Sequence, residues 1–147
     1  MKVNTIMLAV LLLGSVLPVH AQDTSKPDPA DVEQYATFDV QSGGECNLDE
    51  VRVDGDDVTL SGWAILSGDA NSAPPEPVLL QLDVAGSGRR IVADRIERSD
   101  VAAYYKNDAL KTSGFTAVVK QQAGMLIQIL QPFEGHLYKC PNIFPAQ

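Results

Sequence analysis

The stretch CNLDEVRVDGDDVTLSGWAIL, Cys46 to Leu66, decides the fold. Its second half alternates: Val58, Leu60, Gly62, Ala64 and Leu66 share one parity, while Thr59, Ser61 and Trp63 share the other. A period of two is the spacing of a pleated strand with one buried face. The first half is also strand-like, but its apolar phase slips, because Cys46 and Leu48 fall on one parity and Val51 and Val53 on the other. An extra residue near Asp49-Glu50, a β-bulge, restores the phase. Between the halves, Asp54-Gly55-Asp56-Asp57 has the composition of a tight turn. The whole stretch predicts a β-hairpin.

Downstream, the same grammar repeats. Ser67–Pro77 (SGDANSAPPEP) breaks the ladder, since proline removes a donor and the small polar residues favour turns. Val78, Leu80, Leu82 and Val84 alternate again, Gly86-Ser87-Gly88 turns the chain, and 89–98 returns as a charged strand suited to a sheet edge. Ser99-Asp100 ahead of Val101-Ala102-Ala103-Tyr104-Tyr105 is a helix start, and Asn107-Asp108 ends it. Strands follow at 114–120, 125–131 and 136–140. About seven strands with one short helical insertion point to an all-β, Ig-like β-sandwich over residues 44–147, with an open β-barrel as the alternative.

Upstream, residues 1–21 have the build of a signal peptide. Lys2 precedes the apolar run Ile6–Leu17, and Val19-His20-Ala21 offers a cleavage site. The run is too short to cross a bilayer comfortably. These features predict export to a bacterial periplasm or beyond. Residues 22–43, rich in Asp, Pro and Ser at their start, read as a flexible acidic arm in front of the domain. Removing the leader moves the formal charge from −8 to −9 and leaves His136 as the single histidine. So acidic a chain is ill suited to nucleic acid or anionic lipid.

Cys46 and Cys140 are the two cysteines of an exported chain, so a disulfide between first and last strands is the default. A reactive or metal-binding pair would need further Cys or His beside it.

Catalytic patterns are missing. There is no G-x-S-x-G elbow, no H-E-x-x-H and no phosphate-binding glycine loop. No catalytic residue and no cofactor is therefore assigned. His136, after Gly135, reads as an exposed turn residue. Asp54, Asp56 and Asp57, with Asp49 and Glu50 nearby, raise calcium as a weaker alternative to a solvated hairpin tip; the EF-hand spacing fails. Arg89, Arg90, Arg95 and Arg98 read as an edge strand answering nearby acids, or else as guanidinium contacts to an anion. Trp63 reads as core or as a stacking platform. Tyr104, Tyr105, Asn107 and Asp108 are the candidate ligand-facing residues, since two adjacent tyrosines on one short helix cannot both turn inward.

Taken in order, Cys46-Asn47-Leu48-Asp49, Val58 to Ala64, Glu97 to Ala102, Ser113-Gly114-Phe115 and Tyr138-Lys139-Cys140 resemble a bacterial all-β domain. That domain is carried at exported ends of membrane glycosyltransferase-like and polysaccharide-assembly proteins. The resemblance covers about residues 44–141, with Ser99 standing where proline is usual. It implies the fold and structural roles for Gly62, Trp63, Arg98, Asp100, Gly114 and Phe115, and it brings no assigned activity. The expectation is a non-catalytic envelope binding module with a glycan-related ligand; the alternative is a protein-binding module, an inhibitor or assembly partner.

Overall fold

The computed structural model describes residues 32–66 and 77–146. The expected signal peptide, the first part of the arm and nearly all of the Ser67–Pro77 segment lie outside the described residues. Among the described residues no helix is long and apolar enough to cross a membrane.

Eight strands form one curled sheet: β1 (Asp39–Ser42), β2 (Gly44–Asp54), β3 (Asp57–Leu66), β4 (Val78–Val84), β5 (Ser87–Ile96), β6 (Gly114–Lys120), β7 (Leu126–Phe133) and β8 (His136–Pro145). A helix α1 (Ser99–Tyr105) and a 3-10 turn (Asp108–Thr112) join β5 to β6. The order across the sheet is β1-β8-β7-β4-β5-β6-β3-β2. The fold is all-β with one short helical insertion, as the alternation predicts. The curled continuous sheet also fits the open-barrel alternative, because its two halves share a strand. β5 pairs with β4 through Ser87–Ala93 and with β6 only through Asp94–Ile96. A strand that bends from one layer into the next makes such a corner.

The second corner is at Gly43. β1 runs parallel to β8, from Asp39 opposite His136 to Ser42 opposite Lys139. The chain then breaks at Gly43, whose φ of 137° suits glycine, and continues as β2 along β3. The Cys46–Cys140 disulfide, with Cα atoms 5.9 Å apart, ties β2 to β8. The hairpin of β2 and β3 has its expected bulge, a register shift between Leu48 and Glu50.

Side chains of both halves fill the interior, including Val58, Leu60, Leu80, Leu82, Phe115, Ile127 and Ile129, each at most 1% exposed. Two smaller apolar clusters lie outside this core, each covered by a segment that is not a strand. Tyr35 and Phe38 cover Leu79, Leu130 and Leu137, and Ala102, Leu110 and Tyr105 cover Ile65 and Trp63. The first cover corrects the flexible-arm reading for residues 32–43; residues 22–31 of that arm lie outside the described residues. From Val32 onward the chain is docked, because Tyr35 is 3% exposed and β1 is hydrogen-bonded into the sheet. The folded body begins before residue 44.

Candidate functional site

The helix start is pinned by charge. The Arg98 Nε–H donates to Asp100 Oδ1 at 2.8 Å, and an Nη2–H donates to Asp100 Oδ2 at 2.7 Å. Its other terminal nitrogen bonds to Asp49 at the β2 bulge. This fork, made chiefly with Asp100, raises the Arg98 pKa and holds the Asp100 carboxyl down to about 2. The glycines serve the same junction. A methyl group on Gly114 would meet Arg98 Cγ and the Ile96 carbonyl, and one on Gly62 would run into the Asn47 carbonyl and the Phe115 ring. Gly62, Arg98, Asp100, Gly114 and Phe115 thus meet around one joint between the bulge, the end of β5 and the start of β6.

On the outer face of that joint lies a row of aromatic rings. Trp63, half-buried, meets Tyr105 edge-on with centroids 6.2 Å apart. Tyr105 meets Tyr104 edge-on at 5.0 Å. The Tyr105 hydroxyl donates to Glu45, and burial together with that carboxylate raises its pKa, so it stays a neutral donor. Tyr104 ends the row and is 79% exposed. Trp63 therefore belongs to an outer apolar cluster with Tyr105, not to the barrel interior. Asn107 and Asp108 have mainly local work: the Asn107 side chain caps the 3-10 turn through the Ala109 amide, and Asp108 lies 3.4 Å from Lys111.

The four arginines part ways. Arg98 answers acids as above. The Arg90 Nε–H donates to Gln81 at 3.0 Å and an Nη1–H to the Tyr35 carbonyl at 3.2 Å, steadying the N-terminal cover. Arg95 shares the inner face with its ladder partner Phe115. It donates to the Gln131 side chain at 3.2 Å and to the Ser113 carbonyl at 3.3 Å, and burial lowers its pKa to about 10. The Arg89 side chain is exposed and has no hydrogen bond or ion pair with the described residues. The charged strand that reads as an edge is central in the sheet, yet among the described residues its first seven have no ladder partner on the β6 side.

The hairpin carboxylates do not converge. Asp57 reaches Lys120 at 2.6 Å, and the Asp56 carbonyl accepts the Gln121 amide at 2.8 Å. Among the described residues, no three His, Cys, Asp or Glu side chains are grouped so as to hold a metal ion. The calcium alternative at Asp54, Asp56 and Asp57 is set aside on that geometry. His136 is half-buried and not a bare turn residue, because its ring Nδ1 lies 2.6 Å from Asp39 across the β1–β8 pair.

No family model matches the chain, and no curated protein or solved structure matches it either.

Proposed function

We propose that this protein is a non-catalytic, exported binding module of the bacterial cell envelope, and that it takes a glycan on the aromatic row ending at Tyr104. The observation that carries this reading is a large aromatic side chain left 79% exposed on a helix that is otherwise anchored. Sugar rings present C–H faces that pack on an aromatic face, while hydroxyls seek nearby acceptors. Glu45 supplies a carboxylate beside the row. The leader-like residues 1–21 and the resemblance to an exported domain of polysaccharide-assembly proteins support the setting.

The test is a titration with envelope polysaccharide fragments, followed by tryptophan and tyrosine fluorescence. Tyr104→Ala is expected to weaken binding by about tenfold or more with an unchanged circular dichroism spectrum, since the ring makes little burial. Flat titrations across a broad glycan panel, or equal binding by Tyr104→Ala, would overturn the assignment.

A further inference from the structure

We propose that the seam between β5 and β6 is a docking site for an extended, carboxylate-bearing segment of a partner protein, which adds to the sheet as a strand. The ladder register defines the seam. Three β5 residues, Asp94 to Ile96, pair with β6, opposite Thr116 to Gly114. Beyond them β6 continues through Lys120 along β3, and β5 runs back to Ser87 along β4. Among the described residues, the facing edges of Ser87–Ala93 and Ala117–Lys120 are therefore without ladder partners.

At the wide end of the seam lies a cavity of about 520 Å³ lined by Leu82, Val84, Ser87, Arg89, Lys120 and Gln122. An unpaired strand edge is a template for an incoming strand, whose main-chain bonds give affinity while alternate side chains give specificity. Here the specificity is charged. Arg89 stands opposite Leu82 in the ladder, at the cavity, and its guanidinium has no hydrogen-bond or ion-pair partner among the described residues. Lys120 already answers Asp57, so Arg89 is the cation left to choose the ligand.

A guanidinium accepts a carboxylate through two parallel hydrogen bonds. Val84, half-buried at the same cavity, adds apolar surface beside the guanidinium, while Leu82 is already buried in the core. The charges that discourage self-pairing of this edge select a partner of opposite sign. A chain of net charge −8 repels acidic proteins in general, so recognition depends on this one local site.

Amide hydrogen exchange tests the proposal with two probes, a seven-residue peptide alternating valine and glutamate and its valine–lysine counterpart. In the free protein, alternate amides of Ser87–Ala93 should exchange quickly because β4 pairs with the others. The glutamate peptide should slow them by about tenfold or more, and Arg89→Glu should abolish the effect and transfer it to the lysine peptide. Arg89 is exposed, so that variant is expected to keep its thermal midpoint. No added protection, protection confined to another edge, or equal protection by both peptides would overturn the proposal. Binding of a glycan panel at Tyr104 is read separately, so either assignment can fail alone.

Discussion

The two corners of the barrel solve one problem in opposite ways. At Gly43 the chain passes from β8 to β3 with its backbone almost fully engaged. Four residues pair with β8, the next eleven lie along β3, and a disulfide fastens the join. At Ala93-Asp94 the chain passes from β4 to β6 with three paired residues, and a seam opens beside them. The sealed corner carries glycine and cysteine. The open one carries Arg89, Arg90, Asp94 and Arg95. Charged side chains are tolerated where the backbone edge is bare, because they stop identical edges from joining. The two corners differ in kind: one is fastened by pairing and a disulfide, and the other has an edge without a ladder partner among the described residues.

The largest effect should come from unfastening the sealed corner. Cys46→Ala with Cys140→Ala releases a cross-link spanning 94 residues. Such a loss costs about 2–5 kcal/mol in a small disulfide-linked domain, a fall of roughly 10–30 °C in thermal midpoint for a domain near this size. Calorimetry reads it directly. Amides of Asp39–Ser42 should then exchange ahead of those in β3 and β4, since β1 pairs with β8 alone. A midpoint within a few degrees of the parent would show that the four-residue pairing, and not the sulfur bridge, closes this corner.

A smaller loss is expected at the open corner from Arg98→Ala, which cuts the tie between the β2 bulge and the helix start. The carboxylates left behind reach solvent, so the cost should be about 1 kcal/mol. Arg98→Lys should recover little of it, because an ammonium cannot make the two-pronged bond to Asp100. Full recovery by lysine would reduce the joint to simple charge pairing. A loss as large as that of the disulfide would erase the contrast between the corners.

How far the chain can be read without coordinates follows the same division. The hairpin, its bulge and the disulfide are legible, because parity, a phase slip and an even cysteine count are local signals. The first strand is not. Asp39-Val40-Gln41-Ser42 has one large apolar residue, and its place depends on main-chain bonds to His136–Lys139 nearly a hundred residues away. A hint lay just upstream, where Tyr35 and Phe38 are aromatic residues in an otherwise polar segment, and burial accounts for them. Residues 89–98 show edge chemistry, but composition cannot say that, among the described residues, β5 pairs with β4 only through Ser87–Ala93 and with β6 only through Asp94–Ile96. The aromatic row is equally hidden: Trp63 sits on a strand and Tyr104 and Tyr105 on a helix, so three-dimensional packing alone unites them.

Acid offers the finest comparison of the corners, because each has one carboxylate held below its usual range. Asp100 at the open corner is held down to about 2, first by the Arg98 fork. Asp39 at the sealed corner is lowered by the Gln41 amide and then by His136. A carboxylate whose pKa is depressed in the fold, against about 3.9 in the unfolded chain, binds protons more readily when unfolded. Its stabilisation is complete above that unfolded value and drains away as pH falls through the folded one. For Asp100 the window runs from about pH 4 down to about 2. Thermal midpoints measured across it should fall less steeply for Asp100→Asn than for the parent, and likewise for Asp39→Asn. Both groups face solvent, so these are the smallest effects, and 1 M salt should shrink them further by screening. If Asp100→Asn followed the parent curve throughout, the fork would be a surface contact without weight, and the open corner would rest on its three ladder pairs alone.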